Sequence, residues 1–353
     1  MASRWLGHAV PWTVVAATTA LASTGFALAG LPSPVLFGAL LGGMLHALLS
    51  PHALEVPRLG FQVGQGLVGA TIGALVSLPT LARLSDDWVS VLSVTVGTLL
   101  ISVLAGRVLS LHRDVSATTG AFALIAGGAS GITALARDLG ADDRVVTIVQ
   151  YLRVLLVLFT LPIVTGLLFH QGSSGGAAVD HATRWGPDLL FTVASLALGL
   201  LAARYLPIPA GSLLGPLLLA VAVSVSGVLG AVTVPPALEN LGYALIGIQV
   251  GLRFTRASLA SIARLLPWTV LLILVVIAAC GAMGMLLSEV TGVDELTAYL
   301  ATTPGGLYAV LATAAGSGSD VTYVLAVQVI RVLVMLLAAP VVSRALSRHR
   351  PSA

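Results

Sequence analysis

The sequence predicts an all-α, polytopic membrane protein built from two inverted repeats, each with five crossings and one Gly-Gly re-entrant hairpin, about ten crossings in all. Three observations predict it. Of the 353 residues 57% are hydrophobic and 9% charged, with a mean hydropathy of +1.03, whereas a soluble surface takes roughly a quarter charged residues. The chain is also duplicated: ADDRVVTIVQYLRVLLVLFTLPIV (141–164) is answered by SDVTYVLAVQVIRVLVMLLAAPVV (319–342), so that Asp142, Gln150, Arg153 and Pro162 recur 178 positions later as Asp320, Gln328, Arg331 and Pro340. Finally, two weaker apolar stretches, 115–139 and 293–317, are each broken at the centre by a Gly-Gly pair, Gly127-Gly128 and Gly305-Gly306.

Taken in order, the apolar runs place spans at about 9–30, 32–49, 60–79, 88–111 and 144–170, then at about 187–205, 210–232, 239–253, 265–288 and 320–345. A bilayer core takes about 20 apolar residues per helix. Arg4 and the apolar run after it have the form of a signal peptide, but an equivalent run opens the second half, so it is read as a retained first span. The third span of each half carries small residues at helical spacing: Gly60, Gly64, Gly69 and Gly73, then Gly242, Gly247 and Gly251. That pattern serves close helix packing. LPSPVLFG at 31–38 answers IPAGSLLG at 208–215 and marks the entry to each second span. Residues 171–187 are rich in Gly and Ser, the composition of a flexible connector, and separate a first repeat, 1–170, from a second, 188–353.

The two interrupted stretches set the topology. Each arm is about ten residues, or about 15 Å of helix, half a bilayer. If both stretches enter and turn back, each half crosses five times and thirteen Arg residues fall on the cytoplasmic side against two, Arg83 and Arg184, outside. If both cross fully, the split is eight against seven. The positive-inside rule selects the first arrangement, which puts both termini in the cytoplasm and the connector outside. An odd number of crossings per half then orients the copies oppositely, the usual build of secondary transporters.

Arg153 and Arg331 remain within the membrane, where a charged side chain costs at least about 2.5–3.5 kcal/mol. Asp142, Gln150 and Arg153 share one helical face, and Asp320, Gln328 and Arg331 repeat it. Two readings are open. Either each Arg faces a cavity and attracts an anionic solute, with Gln150 and Gln328 hydrogen-bonding beside it, or each braces carbonyls freed where the hairpins break. At the tips, Gly127, Gly128, Gly305 and Gly306 let the backbone approach a ligand closely, and a helix restarting there directs free N–H groups at it; Ser130, Thr302, Thr303 and Tyr308 add hydroxyls. Asp142 and Asp320 open the last span of each half, where a carboxylate either complements the helix N-terminus or couples a proton or cation. Gln65, Thr71 and Gln249 are further polar groups within spans. The seven histidines are scattered near span ends, Cys280 is the single cysteine, and no metal site or cofactor is expected.

The Gly-Gly tips, the G-x-D/S-D turn and the V-x-x-x-Q-x-x-R run into a Pro-terminated span together resemble the AbrB membrane-protein family, over nearly the whole chain. That family, often labelled an ammonia monooxygenase or a regulator of gene expression, is distinct from the small soluble DNA-binding proteins of the same name. The resemblance groups it with cation/proton antiporters and anion transporters of inverted-repeat fold, and its tips are similar to those of hydroxycarboxylate transporters. Here the tips differ: the first reads Gly-Gly-Ala-Ser-Gly and only the second has the Pro-Gly-Gly form.

The expected function is therefore secondary transport of a small anionic solute across a bacterial inner membrane. The substrate-binding residues would be Arg153, Arg331, Gln150, Gln328, Gly127, Gly128, Ser130, Thr303, Gly305 and Gly306, with Asp142 and Asp320 as candidates for ion coupling. Expected partners are the lipid bilayer, the solute, a coupling proton or sodium ion, and a second copy of the chain. Nucleic acid is not expected, since the net charge of +3 is small and spread out. The alternatives are a membrane sensor that regulates gene expression through a ligand or partner, and a membrane enzyme. The latter lacks a visible copper or iron ligand set, so no enzyme is expected.

Overall fold

The computed structural model describes residues 2–30, 33–50, 53–76, 79, 82, 87–112, 115–126, 136, 139–169, 185–205, 211–230, 232–261 and 263–347. Among these every regular element is a helix. In order they are α1 (Ala2–Leu28), α2 (Pro34–Leu49), α3 (Arg58–Ala74), α4 (Trp88–Leu109), α5 (Ala117–Leu124), α6 (Asp143–Leu167), α7 (Trp185–Tyr205), α8 (Gly211–Ser226), α9 (Pro236–Gly251), α10 (Arg256–Ser261), α11 (Leu266–Thr291), α12 (Glu295–Thr302), α13 (Leu307–Ser317) and α14 (Val321–Ser347).

Each expected span has its helix. Five of them, α4, α6, α7, α11 and α14, contain an apolar stretch long enough to cross a bilayer. On α4, Leu92, Val96, Leu100, Leu104 and Val108 form an exposed apolar stripe, while Thr95, Thr98 and Ser102 are buried on the other side. Their hydroxyls donate to carbonyls of their own helix. An apolar outer face over a partly polar inner one is the arrangement hydrocarbon demands and water forbids. The chain is an all-α, multi-pass membrane protein.

Several boundaries differ from the hydropathy reading, among them the end of α3 at Ala74, short of 79. Helix α8 stops at Ser226, short of 232, because Gly227 and Gly230 take φ of 67° and 71° and turn the chain while it is still apolar. Helix α7 starts at Trp185, inside the stretch assigned to the connector, and its Asp188 is buried, accepting from the Thr233 amide at 3.2 Å. The six-residue α10 carries too little periodicity to be read from sequence. The rest of the connector, 171–184, lies outside the described residues.

The helices sort into two compact units, and each draws equivalent elements from both halves of the chain. The first holds residues 1–78, 166–256 and 311–321. Within it α2 packs on α9 and α3 on α8, so the second helix of one repeat meets the third of the other. Small residues permit this: a Cβ at Gly247 would fall 2.5 Å from the Leu36 carbonyl oxygen, and one at Gly73 2.6 Å from that of Leu217. Gln65 and Gln249 are used inside this unit, accepting from the Ser212 hydroxyl at 2.6 Å and the Val56 amide at 3.3 Å. The Thr71 hydroxyl donates to the Leu67 carbonyl of its own helix at 3.0 Å.

The second unit holds residues 79–165, 257–310 and 322–353. In it α4 packs on α5 and α11 on α12, and α4 meets α11. The first two contacts are copies. At the former, a Cβ on Gly106 would lie 2.6 Å from the Gly120 carbonyl oxygen; at the latter, one on Gly284 would lie 2.9 Å from that of Ala298. Both pairs recur at 178 residues.

Candidate functional site

The two short helices α5 and α12 are eight residues each, about 12 Å of helix. Their N-termini are capped alike. Ser116 accepts from the Thr119 amide and Asp294 from the Thr297 amide, each at 3.1 Å, and both pairs are 178 apart. Replacing either cap by alanine is expected to lower stability by about 1 kcal/mol, seen as a small, similar fall in the melting temperature of the purified protein. Sequence reading missed these caps, although the repeated S-x-x-T and D-x-x-T at one offset was the available signal.

The C-terminal ends are the unusual part. A helix end leaves its last carbonyls without intrahelical donors, and in a membrane interior such groups cost several kcal/mol each. Helix α12 stops because Thr303 precedes Pro304, which favours extended backbone in the residue before it; Thr303 takes ψ of 127°. Ile125, its counterpart, takes the same ψ with no proline after it. The two breaks thus begin alike in spite of their different tip sequences.

The next long helix in each repeat supplies the donors. The Gln150 side-chain amide donates to the carbonyls of Phe122 and Ile125, both at 2.7 Å. Arg153 Nη1 donates to the Leu124 carbonyl at 3.1 Å, and its Nη2 donates to Gln150 Oε1 at 2.7 Å. In the second copy Gln328 donates to the carbonyls of Leu300 and Thr303 at 2.9 and 3.2 Å. Arg331 Nη1 donates to Thr302 and Thr303 at 3.3 and 2.6 Å, and its Nη2 to Gln328 Oε1. Every acceptor in the first copy has its counterpart 178 residues on; only the added bond to Thr303 breaks the identity.

Gln and Arg can act as one bracket because three residues on a helix share a face. All four side chains are buried. Among the described residues every oxygen that accepts from either guanidinium is a peptide or amide oxygen, and the buried Nε–H of both Arg153 and Arg331 makes no hydrogen bond. Cys280 of α11 is buried in the same unit.

The second tip joins the first copy's helix. A Cβ on Gly306 would meet Val154 at 3.2 Å, and one on Gly305 would meet Val157 at 2.5 Å, so the backbone here lies against α6 one turn from Arg153. Helix α13 restarts at Leu307. The hydroxyl of Thr303 donates to the Tyr299 carbonyl at 2.7 Å, and that of Thr302 to Ala298 and Tyr299, both at 3.1 Å. Gly127, Gly128 and Ser130 lie outside the described residues.

Asp142 is exposed and accepts at Oδ1 from the amides of Arg144 and Val145, at 2.9 and 3.2 Å, as the cap of α6. Asp320 is exposed at the matching place. Before them Gly140 and Gly318 take φ of 75° and 74°, a turn that only glycine makes without strain. Gly140→Ala and Gly318→Ala are each expected to destabilise by about 1 kcal/mol, measurable as matching shifts in thermal unfolding.

A family profile described as "Transition state regulatory protein AbrB" matches residues 35–347. Over 343 residues the chain is 33% identical to a protein of Escherichia coli (strain K12) provisionally named regulator AbrB, covering 96% of this chain and 97% of that one. It is 28% identical over 309 residues to the uncharacterized protein YhjN of Bacillus subtilis (strain 168), covering 83% and 80%. With its duplicated brackets, its interrupted helices and a match that runs nearly from end to end, this chain belongs to the AbrB family.

Proposed function

We propose that the protein is a secondary transporter that moves a small anionic solute across the bacterial inner membrane by alternating access, without catalysing a reaction. One observation carries the proposal: two buried guanidiniums, one at the end of each of two interrupted helices, with no carboxylate among their hydrogen-bond acceptors in the described residues. A half-helix C-terminus offsets only about half a unit charge, so positive charge is left over for each Arg. An anion entering near the breaks gains that field, the two Nε–H donors that make no hydrogen bond among the described residues, and the backbone N–H groups at the start of α13 beside Gly305 and Gly306. The equivalent groups at Gly127, Gly128 and Ser130 would complete the pair.

In this reading the repeats are inverted, each crossing five times around a re-entrant hairpin. Both termini are cytoplasmic and the 171–184 segment is extracytoplasmic, as the Arg distribution favours. The solute's identity follows from a thermal-shift screen of carboxylates, amino acids and inorganic anions, with stabilising compounds then loaded into proteoliposomes. The expected result is counterflow of at least one of them, abolished in Arg331→Ala. No flux for any stabilising anion, or unchanged flux in the variant, would overturn the proposal. The name of the Escherichia coli relative favours a second reading, a membrane sensor that binds the same anion and acts through a partner protein. It is supported instead if an anion stabilises the protein, no flux is found, and a stoichiometric partner co-purifies.

A further inference from the structure

Interrupted membrane helices expose C-terminal carbonyls at the break, and inverted-repeat transporters commonly satisfy such ends with a bound sodium ion or proton. In this protein those carbonyls are already taken. Phe122, Leu124 and Ile125 in one copy, and Leu300, Thr302 and Thr303 in the other, accept from Gln and Arg side chains of the following long helix. Around each guanidinium the acceptors are neutral oxygens: the Leu124 carbonyl and Gln150 Oε1 for Arg153, and the Thr302 and Thr303 carbonyls with Gln328 Oε1 for Arg331, while the Gln amides hold the remaining carbonyls. The positive centre is covalently attached.

We propose that Arg153 and Arg331 are built-in cations: each guanidinium occupies the place a coupling ion would take at the break of an interrupted helix, so that neither break needs a free cation. Charge and fork shape both contribute. The charge balances the partial negative end of α5 or α12, and the planar donors reach a backbone carbonyl and the Gln oxygen together. The corollary is chemical. Cutting one side chain back leaves a cavity lined by oxygens and sized for a planar cation, which free guanidinium can fill from solution. The idea concerns the fold of the second unit and stands whether or not the protein transports anything.

The test uses the full-length protein in detergent, with Arg331→Ala and, separately, Arg153→Ala. Each variant should melt about 5–10 °C below the parent, the size of shift that loss of a few kcal/mol gives. Guanidinium chloride at low, sub-denaturing concentration should recover at least half of that loss in the variants and nothing in the parent. Urea, a neutral planar donor of the same shape, and choline chloride at equal concentrations should recover none. Equal recovery by urea would show that hydrogen bonding without charge suffices and overturn the proposal. So would a variant that melts with the parent, or one that guanidinium leaves unchanged. Should the alanine variants fail to insert, Arg331→Lys and Arg331→Met decide the matter by yield of folded protein. Lys above Met supports a resident cation, and Met equal to or above Lys overturns it.

Discussion

Gln328→Leu should destabilise the protein by about 2–5 kcal/mol, taking about 0.6–1.7 kcal/mol for each of three buried hydrogen bonds in a membrane setting. The substitution removes both donors to Leu300 and Thr303 and the oxygen that accepts from Arg331 Nη2. Leucine fills similar volume, so the loss reports on polar satisfaction rather than on a cavity. The same change at Gln150 should cost a similar amount, because its bonds to Phe122, Ile125 and Arg153 match one for one. Thermal unfolding in detergent measures both. If the brackets are separate devices the double variant loses the sum of the two, whereas a deviation beyond about 0.5 kcal/mol would show that they are coupled. A Gln328→Leu protein that melts with the parent would mean that the break at Thr303 is held by something other than its bracket.

Gly106→Ala should also be severe. The added methyl would lie 2.6 Å from both the Gly120 carbonyl oxygen and the Ala121 Cα, backbone atoms that cannot rotate out of the way. Helices α4 and α5 would have to separate, carrying with them the C-terminal end that Gln150 and Arg153 hold. Forced overpacking of this kind costs about 1–3 kcal/mol or more, and here it also disturbs the bracket. Folded protein recovered by size-exclusion chromatography should fall sharply. Gly25→Ala is the matched control: a Cβ there meets nothing within 4 Å, and alanine is the better helix former by about 1 kcal/mol, so yield and melting should hold or rise. Equal behaviour of the two variants would mean that the α4–α5 contact does not depend on a small residue.

Much of the fold was legible because hydrocarbon is a severe solvent. The long apolar runs near 88–111, 144–170 and 265–288 came out as α4, α6 and α11 with ends shifted by a few residues. The break at Thr303 was legible from Pro304 and the glycines after it. The end of α5 at Ile125 was less so, because Ile125 and Ala126 carry no signal of their own and the helix stops where the rest of the unit holds its carbonyls. Arg153 and Arg331 stood out as costly charges, and sequence left two accounts of them open. The structure seats them on carbonyls at the breaks, while the unbonded Nε–H groups leave a role toward an anion available. Their acceptors could not have been named beforehand: a carbonyl has no letter in the sequence, and these lie 28 or 29 residues back along the chain.

Asp188 teaches the opposite lesson. It follows a Gly-rich, polar stretch that carries no sign of burial, yet it is buried against Thr233, a contact set by where α7 docks.

The sequence by itself determined the solvent, the element order and the duplication, since hydropathy and a repeated motif are local properties that each residue carries with it. Tertiary structure alone decided the partition into two units that each mix the halves, and the seating of two Gln-Arg pairs on the ends of broken helices. Both depend on how closely backbones approach at glycines and on where orphaned carbonyls come to rest, and these are relations between distant segments that no single segment encodes.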